Sequence, residues 1–198
     1  MKLQTVSPAS TTGPYFPVEF SDGSEDLTHR DGKTAQGQHI LLSGRVLEKG
    51  GVPTRNMVVE IWQTDANGIY RHPLDPRAAD ADPGFWGWGR ARTDKDGWYH
   101  LRTVVPGSYA EQGVTRCPHI NATVLGIGLT RRLVTTIFVP NRHALSLMDT
   151  DPVYCAVADV ERRRRLIAYP DGLGAKGVPS YRFDFILHGP DETPFFLD

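Results

Sequence analysis

Tyr70, Tyr109, His119 and Asn121 are the residues of this sequence whose types and spacing could do chemistry. The last three fall in one stretch, Pro106-Gly-Ser-Tyr109-Ala-Glu-Gln-Gly-Val-Thr-Arg116-Cys-Pro118-His119-Ile-Asn121. Tyrosinate oxygen and neutral imidazole nitrogen are both metal ligands, and together they suit a Lewis-acidic transition metal better than calcium or magnesium. A phenolate suits hard, trivalent iron, whose charge would carry a phenol from its ordinary pKa of about 10 to below neutrality. Pro118-His119-Ile120-Asn121 reads as the start of a strand, and a strand would point positions 119 and 121 to one face. Two histidines there would make a metal-ligand pair. The second is an asparagine, and that one side chain governs how the site is read. The competing reading of the same residues is half-buried aromatics around a hydrogen-bonded histidine, with no metal. Arg71, His72 and Arg116 are candidates either for contact with an anionic substrate or for surface charge. No Ser/His/Asp or Cys/His nucleophile pattern, glycine-rich phosphate loop or paired zinc-ligand spacing occurs.

The elements that must position these side chains read as strands. His39 to Leu47 and Met57 to Gln63 are two, the second alternating Met57, Val59 and Ile61 on one face with Val58, Glu60 and Trp62 on the other. Thr64-Asp-Ala-Asn67-Gly68 is a turn, Asn-Gly being a strong turn dipeptide, and Tyr70 follows it. Residues 71–90 are an irregular loop ending in Phe85-Trp86-Gly87-Trp88-Gly89-Arg90, whose aromatic rings are expected to plug the core or an interface. Trp98 to Val105, His119 to Gly126 and Leu133 to Val139 are further strands, with the stretch around Tyr109 as a connecting loop. Asp151 to Leu166 is the one helical stretch: Asp151 is placed to cap it, Pro152 fits its first position, and Arg162 to Arg165 favour its C-terminal end. Tyr181 to Leu187 is a last strand. Residues 1–37, with the compact Ser10-Thr-Thr-Gly-Pro-Tyr-Phe-Pro17 motif, form an extended arm that packs either on its own domain or on a partner subunit. Short strands, one minor helix and no βαβ rhythm predict an all-β sandwich over residues 38–198.

At 198 residues, 39% hydrophobic and 23% charged, the chain suits one globular domain with an arm. The net charge of −1 offers neither nucleic acid nor a membrane surface an electrostatic reason to bind, and four consecutive arginines in one cluster do not change that. Cys117 and Cys155 make no disulfide framework and read as buried free thiols in a reducing cytosol. The N-terminus has no apolar signal region and no apolar run approaches the length of a membrane span, so the expected location is the cytoplasm.

Val59-Glu-Ile-Trp62-Gln-Thr-Asp-Ala-Asn67-Gly68-Ile-Tyr70, Gly89-Arg-Ala-Arg-Thr-Asp94, Thr103-Val-Val-Pro106-Gly107 and Pro118-His119-Ile120 together resemble the intradiol ring-cleavage dioxygenases. The resemblance runs over nearly the whole chain. It implies a β-sandwich and a reaction in which O2 cleaves a catechol between its hydroxyls to a muconate. It also implies ferric iron held by two tyrosines and two histidines, the latter in a His-x-His strand start.

Within the family the chain is similar to the alpha chains of its hetero-oligomeric, protocatechuate-cleaving branch, where iron sits on a beta subunit and the alpha chain keeps Pro-His-Ile followed by a residue other than histidine. Asn121 fits that pattern. The resemblance then implies an iron-bearing beta partner, Fe(III) on that partner, and a catecholic substrate with O2. It makes Thr11, Gly13, Pro14 and Tyr15 of the arm the substrate-lining positions. The expected product from protocatechuate (3,4-dihydroxybenzoate) is 3-carboxy-cis,cis-muconate.

Two features depart from that branch. Thr136 stands where the alpha chains carry an arginine facing the substrate carboxylate; Arg131 or Arg132 is the expected replacement, Arg132 having the right strand parity. Tyr109 is present where alpha chains often lack the iron tyrosine. Two alternatives stay open: a self-sufficient dioxygenase with iron on Tyr70, Tyr109 and His119, and a non-enzymatic transthyretin-like binding module.

Overall fold

Alternation of burial with period two runs through the longest strands and builds two sheets around one core. The structure, a computed structural model, describes Phe16 and residues 23–196. Along the chain lie β1 (His29–Arg30), β2 (Lys33–Thr34), β3 (His39–Leu47), β4 (Met57–Trp62), β5 (Trp88–Arg92), β6 (Trp98–Val104), β7 (Tyr109–Glu111), β8 (Val114–Arg116), β9 (His119–Gly126) and β10 (Leu133–Phe138). Three short helices follow, α1 (Arg142–Leu147), α2 (Pro152–Ala156) and α3 (Val160–Arg164), then β11 (Tyr169–Leu173), β12 (Pro179–Arg182) and β13 (Phe185–Ile186).

One sheet has the order β10-β9-β4-β5, all antiparallel. The other has β3 at its centre, paired antiparallel with β6 and parallel with β12 and β13, with β11 beyond β12. Ile40, Leu42 and Val46 of β3 and Leu101 of β6 meet Met57, Val59 and Ile61 of β4 and Ile120, Ala122 and Val124 of β9 in a single core. Each fully buried aliphatic side chain of this kind contributes about 1.5–3 kcal/mol. The expected all-β sandwich is the observed architecture.

The last strand is interrupted without losing register, since Arg182 pairs with Ser43 and Phe185 with Val46. Between them the Asp184 carboxylate accepts the Arg45 N–H (2.8 Å) and the Tyr99 hydroxyl donates to the Phe183 carbonyl (2.7 Å), so side chains take over two ladder positions. Gly44 is obligatory here, because a Cβ on it would lie 1.8 Å from the Phe183 oxygen.

Three local expectations change. The helix from Asp151 to Leu166 forms as two: Asp151 caps α2 through Val153 and Tyr154, the chain turns extended at Val157, and Asp159 caps α3. A third helix, α1, is capped by Asn141. The loop around Tyr109 is a hairpin of β7 and β8, with Gln112 (φ 49°) and Gly113 (φ 80°) both left-handed as a two-residue hairpin turn requires. Finally, Phe85 enters the core as expected, but Trp86 and Trp88 stay 47% and 37% exposed, each under a guanidinium, Arg30 and Arg90 respectively.

Thr11, Gly13, Pro14 and Tyr15 lie outside the described residues. Phe16 is buried beneath the Arg92 guanidinium, and Leu27 is fully buried in the core, so these two points of the expected arm pack on the chain's own sandwich. Among the described residues no helix is long and apolar enough to cross a membrane.

Candidate functional site

Two glycines bring the tyrosines together. The Asp65 carboxylate accepts the N–H groups of Asn67 (2.8 Å) and Ile69 (3.0 Å), which folds the turn ahead of Tyr70. This turn lies against residues 106–108: a Cβ on Gly68 would fall 2.0 Å from the Ser108 oxygen, and one on Gly107 would fall 2.2 Å from the Gly68 nitrogen. The Gly107 N–H donates to the Asp65 carbonyl at 2.8 Å. Only chains without side chains at both places approach so closely. As a result the Tyr70 and Tyr109 rings stand edge to face with centroids 5.3 Å apart.

His119 and Asn121 do share a face of β9, and both reach the same cavity of about 750 Å³ as the tyrosines. Sheet register supplies the neighbours. Asn121 is opposite Trp62 on one side and Thr136 on the other. Its amide nitrogen donates to the Tyr70 hydroxyl (3.2 Å), while its amide oxygen accepts from the Thr136 hydroxyl (3.4 Å). His119 gives its Nδ1–H to the Cys117 carbonyl (2.6 Å) and packs 5.8 Å from the Tyr109 ring. A carbonyl only accepts, so Nε2 is the ring nitrogen left with a lone pair.

Arg116 closes one side of the cavity. Its Nε donates to Asp151 (3.0 Å) and its Nη1 to Glu111 and, at 3.5 Å, to the Tyr109 hydroxyl. Asp151, fully buried, also accepts the Cys117 N–H (2.9 Å) and caps α2, so one carboxylate ties β8, the start of β9 and a helix together. Across the cavity Asp75 accepts the Tyr70 N–H (3.0 Å) and pairs with Arg77.

Protonation follows from burial. Burial pushes the Tyr70 and Tyr109 phenols up, with Tyr109 adding to the shift at Tyr70, and the Arg116 charge opposing it at both. Burial holds His119 below the ordinary imidazole range, against the pull of the Cys117 carbonyl. Burial also raises Asp151, but the Arg116 hydrogen bond, the Cys117 N–H and the guanidinium charge outweigh it and leave the carboxyl below its usual range.

The donor set does not fit ferric iron. Two phenols and the His119 Nε2 are of the right type, but the fourth place belongs to Asn121. Its nitrogen faces Tyr70 as a hydrogen-bond donor, and the oxygen that could ligate is turned to Thr136. Among the described residues no group of three or more His, Cys, Asp or Glu is placed to hold a metal ion.

Of the other sequence candidates, His72 lines the cavity beside Trp62, with ring centroids 5.3 Å apart. Arg71 does not: its guanidinium donates to the carbonyls of Asp82 and Phe85 and holds their loop. Arg132 is exposed just before β10, four residues and about 13 Å along the strand from Thr136, and it does not line the cavity. Sequence reasoning missed Asp75, Arg77, Glu111 and Asp151 as parts of the site. Asp151 announced itself only as a helix cap, and nothing in a linear reading places it on Arg116.

A family model described as "Dioxygenase" matches residues 11–189. The chain is 35% identical over 190 residues to the protocatechuate 3,4-dioxygenase beta chain of Burkholderia cepacia, covering 91% of this chain and 80% of that one. It is 31% identical over 206 residues to the protocatechuate 3,4-dioxygenase alpha chain of Pseudomonas putida, covering 99% of this chain and 98% of that one. In fold it is similar to 3-chlorocatechol 1,2-dioxygenase from Rhodococcus opacus 1CP, with a TM-score of 0.60 at 20% identity, over 93% of this chain and 68% of that one.

Proposed function

The chain belongs to the intradiol ring-cleavage dioxygenases, and from that premise we propose that it is the iron-free, alpha-type chain of a hetero-oligomeric enzyme. Asn121 carries this reading. With its amide nitrogen on Tyr70 and its oxygen on Thr136, it replaces a second imidazole by a neutral hydrogen-bonding bridge. Identity alone does not separate the two kinds of relative, being slightly higher to a beta chain, whereas end-to-end coverage favours an alpha chain.

In this reading Fe(III) resides on a beta-type partner and supplies the activation of a catechol toward O2. This chain contributes surface and shape: Thr11, Gly13, Pro14 and Tyr15 of the arm, with Arg132, are offered to the partner's substrate pocket. Positioning and anion recognition are what such groups give to catalysis. The substrate is a protocatechuate-class catechol, cleaved to its carboxymuconate. With Thr136 where a cation would face the carboxylate, a substrate carboxylate binds less well than it would opposite an arginine.

The test is co-expression with a beta-type chain, followed by iron analysis and turnover of protocatechuate and catechol by the purified complex. Iron equal to the beta chain content, and turnover that needs both chains, support the reading. One iron per copy of this chain purified alone, with turnover, defeats it. That outcome is the second reading, a self-sufficient enzyme, which draws on the convergence of Tyr70, Tyr109 and His119 in one cavity.

A further inference from the structure

We infer that the iron-free cavity of this chain is a binding site in its own right, which takes an uncharged, single-ring phenol and holds it unreacted. The inference rests on the reading above, in that no iron occupies the cavity.

Size and lining come first. About 750 Å³ is in the range of small-molecule sites, and its walls are a run of rings in contact. Trp62 stands edge to face with Tyr70 (5.7 Å), Tyr70 with Tyr109 (5.3 Å), and Tyr109 beside His119 (5.8 Å). Such walls favour a flat aromatic guest. Trp62 is 41% exposed, so the cavity opens to solvent along its edge.

Two polar groups converge on one hydroxyl. His119 lines the cavity and has committed Nδ1–H to the Cys117 carbonyl, which leaves Nε2 as its acceptor. The Tyr109 oxygen accepts from Arg116 Nη1 at 3.5 Å, which leaves its own O–H to donate. Since the two rings are neighbours, one guest hydroxyl can give its proton to Nε2 and accept the Tyr109 O–H. A phenol does both at once; a carboxylate has no proton to give.

Charge makes the same choice. The ionic side chains of the described lining are Asp75 with Arg77 and Glu111 with Arg116, and Arg116 is further held by Asp151. Each guanidinium is already matched, and the surplus is negative. A carboxylate would enter beside Glu111 with no cation released to meet it, at a cost from desolvation and like charge. The site therefore distinguishes phenols from benzoates, the opposite of a pocket built for protocatechuate.

The test uses the full chain, purified without and then with its partner, titrated with 4-methylphenol and with 4-hydroxybenzoate. Calorimetry reads binding and tryptophan emission reads Trp62. The expected result is saturable, colourless binding of 4-methylphenol, at least tenfold tighter than 4-hydroxybenzoate. Tyr109→Phe, which keeps the ring, should weaken it about five- to tenfold, as for one lost hydrogen bond, with an unchanged melting temperature as the folding control. His119→Gln, which offers a different acceptor geometry, should weaken it too. Equal affinity for the two probes, no binding, or binding indifferent to both variants overturns the inference while leaving the alpha-chain reading intact. A visible charge-transfer band on adding the phenol would reveal iron on this chain and overturn both.

Discussion

Asp151→Ala should be the most damaging single side-chain truncation near the site, and its effect can be worked out from the bonds it breaks. The carboxylate is fully buried and accepts from Arg116 Nε (3.0 Å) and from the backbone N–H groups of Cys117 (2.9 Å), Val153 (2.9 Å) and Tyr154 (3.2 Å). Removing it leaves the Arg116 guanidinium, itself nearly buried, with only the half-exposed Glu111 as a charged partner. Breaking one side of a buried pair costs about 3–5 kcal/mol. Loss of the α2 cap adds about 1 kcal/mol. Because the terms share the same atoms they overlap, and a loss of about 4–6 kcal/mol is expected. That is a large part of a typical stability of about 5–15 kcal/mol, and it should lower the melting temperature by about 10–20 °C.

The pH dependence supplies a second check. The carboxyl is held below its ordinary value of 3.8, so its contribution is in place above the unfolded value and is lost as pH falls through the lower folded one. The stability gap between wild type and Asp151→Ala should therefore be flat from about pH 5 to 8 and close below about pH 4. Urea unfolding followed by tryptophan emission measures it. A gap under about 1 kcal/mol at pH 7, or one that widens on acidification, would refute the reasoning.

Asn121→His restores the second imidazole beside Tyr70, and iron-reconstituted protein should then gain a visible tyrosinate-to-iron absorption band that the parent chain lacks; an identical spectrum before and after substitution counts against the role assigned to Asn121. Gly44→Ala drives a methyl onto the Phe183 carbonyl and should cost about 3 kcal/mol, measured as a fall of about 6–12 °C in melting temperature. Tyr99→Phe leaves that same carbonyl without its donor, for a loss of about 1–3 kcal/mol by urea unfolding. With a thiol titrant at pH 8, exposed Cys155 should react promptly, whereas Cys117, whose pKa burial and the Asp151 charge push up to about 12, should react only on unfolding; two fast thiols would contradict the burial of Cys117.

Strands β3, β4, β6, β9 and β10 were legible because their signal is local: runs rich in β-branched and aromatic residues bounded by turn residues, with alternate burial clearest in β3 and β9. The cap on α2 was legible for the same reason, Asp151-Pro152 being its own signature. The break at Val157 was not, since helical propensity continues through a point where the chain leaves the helix only to reach the second cap at Asp159. The β7–β8 hairpin escaped notice because Gln112, an uncommon residue at positive φ, occupies the first turn position.

For the site the division is similar. By itself the sequence determined the sandwich, the kinship of the chain, and the four side chains Tyr70, Tyr109, His119 and Asn121, because these depend on residue identity and on parity within one strand. Tertiary structure alone decided what those side chains do. Register set Thr136 and Trp62 on either side of Asn121. The contact of Gly68 with Gly107 joined the tyrosines. The pairing of Arg116 with a buried Asp151, far along the chain, fixed the charge of the cavity. Packing brings together groups that are distant in sequence, and hydrogen-bond direction and net charge exist only once those groups meet.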